Sequence, residues 1–147
     1  MDSGCADGIL TEKINFEKHG ADVHGFDIAE DLLKIARNKK KYVDLKAASF
    51  AEDLPYPEDN FDFVIANGVL GYCSTSKPIY EFVKVLKPGG YTLITMRSQH
   101  FKERGYPTAL KELSGKCVVL KQEVFSAFPN NPQFTHEYRF ILVQKLK

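Results

Sequence analysis

The sequence predicts an α/β domain built on a mainly parallel sheet, and three observations carry that prediction. Strand-like and helix-like stretches alternate along most of the chain. One of them, FDFVIANG (61–68), is apolar on both faces, as a central strand of a parallel sheet must be. Two closing apolar stretches flank PNNPQ, dense in turn residues, and read as an antiparallel hairpin.

Each element follows from local chemistry. MDSGCADG opens the chain with an acid and a glycine-bearing loop, Gly4 to Gly8, of the kind set between a buried strand and a helix. Ile9 to Lys18 reads as that helix, with Leu10 and Ile14 on one face and Gly20 as its stop. ADVHGFD is a short buried strand ending on Asp27. AEDLLKIARNKKK is a helix with Leu32, Ile35 and Ala36 facing inward. YVDLKAA alternates Val43, Leu45 and Ala47 at strand period. LPYPEDN is a proline-rich connection. Beyond the central strand, Ile79, Phe82, Val83 and Leu86 recur at helical spacing, with Pro78 in the first turn. KPGG ends that helix and turns directly into the strand YTLITM. A mixed segment with a short helix near PTALKELS precedes the hairpin strands CVVLKQEVFSAF and EYRFILVQKL. No repeat, low-complexity tract or linker divides the chain, so residues 1–147 read as one domain.

Composition narrows the class of function. A chain of 147 residues can bury roughly 70% of its unfolded surface, enough for a real core. The 44% hydrophobic and 27% charged fractions are those of an ordinary soluble protein. A formal charge of +1 supplies no net field for nucleic acid or an acidic membrane. Lys39, Lys40 and Lys41 suit a solvated helix end, where cations complement the dipole. Cys5, Cys73 and Cys117 form no CxxC pair, and His19, His24, His100 and His136 are scattered, so no metal site is expected. Sparse, odd-numbered cysteines fit a reducing compartment. The first thirty residues show no signal pattern, and no apolar run approaches the ~20 residues of a membrane span. The expectation is a cytoplasmic protein.

In an open parallel sheet, ligands sit beyond the carboxyl ends of the strands. The Gly4–Gly8 loop lies at such a place and leads into a helix, whose exposed N–H groups favour an anion or carboxylate. Asp27 follows Gly4 by 23 residues, at the end of the next strand, where an acid can accept from both hydroxyls of a ribose. Loop and acid together suggest a nucleoside-containing ligand. A dinucleotide fingerprint needs G-x-G-x-x-G, whereas Gly4, Ala6 and Gly8 stand at alternate positions. That spacing counts against a nicotinamide-dependent oxidoreductase.

D-x-G-x-[A/G]-x-G followed by an acid-ended second strand resembles the class I methyltransferases that use S-adenosylmethionine, in the type 11-like group. AEDLPYPEDNFDFVIANGVL and VKVLKPGGYTLIT are similar to that superfamily's third and fourth strand region and its PGG turn, so the resemblance covers nearly the whole chain. More narrowly, FDFVIANGVLGY, KPGGYTLITMRSQ and TALKELSGK resemble the methyltransferase-like proteins of the Williams–Beuren syndrome region.

The resemblance implies a Rossmann-like fold and a set of cofactor contacts. Asp2 would face the amino group of the methionine part, and Gly4, Cys5 and Ala6 would bring backbone against its tail, with Gly8 completing the loop. Asp27 would hold the ribose and Ile28 would lie against the adenine. Phe50 and Ala51 would flank the base, and Asn67 and Gly68 would line the floor near the sulfonium. Two positions depart from the pattern. Ala6 replaces the usual middle glycine, a modest change if its φ is negative. Phe50 stands where many relatives carry an acid, and a phenyl ring stacks but accepts no hydrogen bond.

The same resemblance makes the first strand central, and this chain leaves it only Met1 and Asp2. An N-terminally incomplete domain is therefore expected, lacking the helices that cover the pocket, unless its second and fourth strands have moved together. The implied function is methyl transfer from S-adenosylmethionine to an unidentified acceptor, a small molecule or a protein. The competing reading is a truncated, non-catalytic module with weak or no cofactor binding. No catalytic base is assigned. Tyr72 reads as pocket wall rather than catalyst, and Arg97, His100, Arg104 and Tyr106 as a solvated loop rather than an acceptor-binding rim. The oligomeric state is open.

Overall fold

A computed structural model describes residues 1–14, 16–131, 133 and 135–147, with residue 17 described by its backbone alone. The chain forms two compact units, Met1–Pro55 and Tyr56–Lys147. The division falls inside the proline-rich connection, where a chain that cannot hold regular hydrogen bonding makes its natural break.

In the first unit the chain runs β1 (Asp2–Ser3), α1 (Ile9–Ile14), a 3-10 turn (Phe16–His19), β2 (His24–Asp27), α2 (Glu30–Asn38) and β3 (Asp44–Ala47). The strands are parallel in the order β3-β2-β1, with Asp2 opposite Gly25 and Ser3 opposite Phe26. The first strand is as short as its sequence implies, yet β2 keeps it as a neighbour. Gly4 and Cys5 extend the contact, both donating to the Phe26 carbonyl at 2.9 and 3.0 Å.

Phe26, Leu33 and Ala36 form the fully buried centre of this unit. The helix phase differs from the expected one. Leu32 and Ile35 are 38% and 47% exposed, and Leu33 joins the expected Ala36 in facing inward. Adjacent leucines at 32 and 33 make both stripes apolar, so periodicity cannot choose between them. Packing can: the Ala36 methyl lies 3.3 Å from where a Cβ on Gly8 would stand, an approach that only a small side chain permits. In α1 the inward residue is Thr11, while Leu10 is half-buried and Ile14 is 42% exposed. The expected continuation of that helix to Lys18 includes residue 15, which lies outside the described residues. Val43 precedes β3 and is 61% exposed, because β3 ends the strand order.

The second unit holds β4 (Phe61–Asn67), a 3-10 turn (Leu70–Tyr72), α3 (Lys77–Val85), β5 (Leu86–Arg97), α4 (Ser98–Glu103), α5 (Tyr106–Glu112), a second 3-10 turn (Leu113–Gly115), β6 (Cys117–Ser126) and β7 (Glu137–Lys145). The order is β4-β5-β7-β6, with β4 and β5 parallel and β7 antiparallel to both of its neighbours. Val64, Ile65 and Ala66 are buried in succession, the two-sided burial expected of a central strand. Ile79, Phe82 and Val83 form the buried face of α3.

Three local expectations change. Leu86 opens β5 rather than closing α3, and KPGG lies within that strand. The glycine pair forms an excursion: Leu86 faces Phe61, whereas Tyr91 already faces Phe63. Residues 98–103 form a helix where no period is visible in the sequence. Tyr106 is fully buried and stacks on Phe101 at 6.1 Å, so the segment from Arg97 is not a solvated loop. The antiparallel hairpin strands are present as expected, while the PNNPQ turn includes residue 132, outside the described residues.

Candidate functional site

The loop after β1 has an unusual backbone. Gly4, Ala6 and Gly8 all have positive φ, at 68°, 47° and 79°. The modest-change expectation for Ala6 required negative φ, so it is overturned. An alanine in this region costs roughly 1–2 kcal/mol relative to a relaxed backbone. Two hydrogen bonds hold it there. The Ala6 N–H donates to Asp27 Oδ2 at 2.9 Å, and the Gly8 N–H donates to the Cys5 carbonyl at 2.8 Å. Asp27 Oδ1 accepts from the Ala29 N–H at 2.9 Å, so this acid ties the loop to the start of α2. Each carboxylate oxygen has further lone-pair capacity.

A polar knot supports the loop from below. Tyr42 OH and Thr11 Oγ1 both donate to Asp2 Oδ2, at 2.7 and 2.9 Å. Asp2 is 3% exposed. Burial pushes its carboxyl above the usual range, against the lowering effect of those two hydrogen bonds. The carboxylate thus turns inward. Tyr42 also fills the space under the glycines: a Cβ on Gly8 or Gly25 would lie 2.9 Å from its ring. Nothing in the sequence signals this role, because a tyrosine ahead of a strand fits no motif. Cys5 is buried, and desolvation with the Asp2 and Asp27 charges pushes its thiol up to about 12. It therefore stays protonated at neutral pH and is no nucleophile.

Ile28, directly after Asp27, is 73% exposed despite being apolar. Phe50 packs edge-to-face on Phe26, with ring centroids 4.9 Å apart. Ala51 is exposed, and its N–H donates to Ser49 Oγ at 3.1 Å. The first unit thus gathers Asp2, Gly4, Cys5, Ala6, Gly8 and Asp27 around one loop. Ile28 adjoins it, and Phe50 reaches the same strand through Phe26.

In the second unit, Asn67 and Gly68 end β4. Thr95 ties them together: the Gly68 N–H reaches the Thr95 carbonyl at 2.9 Å and its Oγ1 at 3.0 Å, while that hydroxyl donates to Asn67 Oδ1 at 2.6 Å. Gly68 has φ of 72°, and a Cβ there would meet nothing within 4 Å. Thr95 supports two of the expected site residues, a role that strand periodicity alone could not reveal. Tyr72 is 92% exposed. Among the described residues no three His, Cys, Asp or Glu side chains gather as metal ligands would.

The chain has relatives among known proteins. Residues 1–94 match the family model described as a methyltransferase domain. The chain belongs to that family. It is 34% identical over 122 residues to the tRNA (carboxymethyluridine(34)-5-O)-methyltransferase of Arabidopsis thaliana, covering 80% of this chain and 28% of that protein. It is 36% identical over 87 residues to the demethylmenaquinone methyltransferase of Listeria welshimeri, covering 56% of this chain and 36% of the relative. The chain therefore spans well under half the length of these two relatives. Among solved structures, a SAM-dependent methyltransferase from Methanosarcina mazei shares the fold with a TM-score of 0.76 at 18% identity, over 99% of this chain and 91% of that one. As a member of the methyltransferase family the chain is an α/β protein of Rossmann-like architecture, mainly parallel, with antiparallel C-terminal strands. Among the described residues no helix is long and apolar enough to cross a membrane.

Proposed function

We propose that the chain transfers the methyl group of S-adenosylmethionine to an acceptor, its 147 residues acting as one methyltransferase-like domain. The observation that carries this reading is the bond from the Ala6 N–H to Asp27 Oδ2, which couples the left-handed loop to the acid that ends β2. The donor set suits the cofactor. Asp27 keeps lone pairs for two ribose hydroxyls, and exposed Ile28 offers an apolar face for a base. Phe50 and Ala51 flank the base on its other side. Gly4, Cys5, Ala6 and Gly8 present backbone to the methionine part, and buried Asp2 positions them through Thr11 and Tyr42. In the second unit, Asn67 and Gly68 are tied together by Thr95, with open space at Gly68.

S-adenosylmethionine brings a methyl group already activated on a sulfonium. What the protein adds is orientation, proximity and exclusion of water, and a good nucleophile needs no dedicated base. Phe50 accepts no hydrogen bond from an adenine amino group, so discrimination between bases is weakened. The named relatives act on a tRNA carboxymethyluridine and on demethylmenaquinone, which leaves the donor half of the reaction as their common part. The acceptor of this chain is a small molecule or a macromolecule. A cytoplasmic setting suits its three free cysteines, Cys5, Cys73 and Cys117.

Calorimetric titration with S-adenosylhomocysteine tests the reading, with Asp27→Ala as control. Binding with a dissociation constant of about 1–100 µM is expected for the wild type, and none for the variant at the same concentrations. A cooperatively folded wild-type chain that binds nothing would favour the non-catalytic module instead.

A further inference from the structure

Strand β6 ends the order β4-β5-β7-β6, and among the described residues it pairs with β7 alone. Only Cys117 of its ten residues is buried. The exposed remainder is rich in apolar side chains: Val118 40%, Val119 39%, Leu120 49%, Val124 46% and Phe125 42% exposed. A long apolar edge strand is a template for another strand. Charge indicates which one.

Residues 119–125 read Val-Leu-Lys-Gln-Glu-Val-Phe, a chemical palindrome about Gln122. We infer that β6 pairs antiparallel with β6 of a second copy of this chain, Gln122 facing Gln122. In that register Lys121 stands opposite Glu123 of the second copy, and Glu123 opposite its Lys121. Beyond them, Val124 and Phe125 of one copy approach the apolar segment Val119 and Leu120 of the other, apolar against apolar. Lys121 and Glu123 are already 3.0 Å apart within one strand and exposed on one face, so the dimer joins two such pairs into a square of alternating charge.

Symmetry and charge together select this register. Continuing a sheet across a two-fold axis requires the axis to be normal to the sheet, which preserves the face of every side chain. Opposed residues must share a face, so some residue must lie opposite itself. The next register in one direction sets Lys121 on Lys121, and in the other Glu123 on Glu123, each a repulsive pair. The irregularity between Val119 and Lys121 confines regular pairing to the neighbourhood of Gln122, which makes those charges decisive.

Sedimentation equilibrium of the whole chain tests the assignment, with retained cooperative thermal unfolding as the folding check on each variant. The wild type should pass from monomer to dimer between about 1 and 100 µM. Lys121→Glu and Glu123→Lys, made singly, should each weaken dimerisation by about tenfold or more, since each creates like-charged opposed pairs. The double exchange, Lys121→Glu with Glu123→Lys, should restore dimerisation to within about threefold of wild type. A wild type monomeric throughout overturns the inference. So do single variants that dimerise like wild type, or a double variant no better than the singles.

Discussion

Strands β1 and β6 are opposites. β1 has two residues, both buried; β6 has ten, of which nine are exposed. The short strand is fixed by directed interactions: parallel pairing to β2, two N–H groups on the Phe26 carbonyl, and an Asp2 carboxylate accepting from Tyr42 and Thr11. The long strand rests on its ladder to β7 and leaves apolar surface over. The first is specified by directed bonds to named neighbours, the second by its ladder.

The sharpest way to break this contrast is Gly8→Ala. The new methyl would lie 2.9 Å from the Tyr42 ring at a φ of 79°. Crowding and left-handed strain together should lower stability by about 2–4 kcal/mol. Val118→Thr on exposed β6, a swap between two β-branched residues, should stay within about 0.5 kcal/mol. Urea midpoints of the two variants check both expectations, and comparable losses would dissolve the comparison.

A smaller effect has the opposite sign. Ala6→Gly removes the strain of φ 47° while keeping the N–H that reaches Asp27. It should gain about 1 kcal/mol, after allowing for the freedom glycine adds to the unfolded chain. A thermal midpoint at or below that of the wild type would show that the loop holds alanine without strain.

The smallest effect is a slope. Asp2 titrates above its ordinary value of 3.8 when folded, because burial disfavours its charge. The folded state then binds this proton more tightly than the unfolded state, so its contribution to stability falls as pH rises from 3.8 towards the raised value and is level above it. Asp2→Asn keeps an oxygen that can accept from Tyr42 and Thr11 and removes the titration. Subtracting its stability curve from that of the wild type should leave a difference that falls as pH rises above 3.8 and then levels off. A difference that rises with pH would assign the slope to another group.

Much of the candidate site is legible in the sequence because its chemistry is local. Alternating small residues at 4, 6 and 8 announce a tight loop, and the acid ending the next strand is the group that holds that loop. The run FDFVIAN announces a buried central strand. Less legible are features that depend on what arrives from elsewhere in the chain. Tyr42 is 40 residues from Asp2 and packs under Gly8 and Gly25, which no short-range pattern encodes. The same applies to Thr95, which bridges Asn67 and Gly68 from the neighbouring strand.

The sequence by itself determined most strands and helices, though not the helix at 98–103, since hydrophobic period and the positions of glycine and proline act over a few residues. It also determined the acid and the small residues that meet in the first loop. Only the tertiary structure decided which stripe of α2 faces inward, that Ala6 takes positive φ, that KPGG is an excursion within β5, and that Tyr106 is buried. The physical reason is common to all four. Each is a choice between local states that differ by about 1–2 kcal/mol or less, and packing against a distant segment contributes more than that.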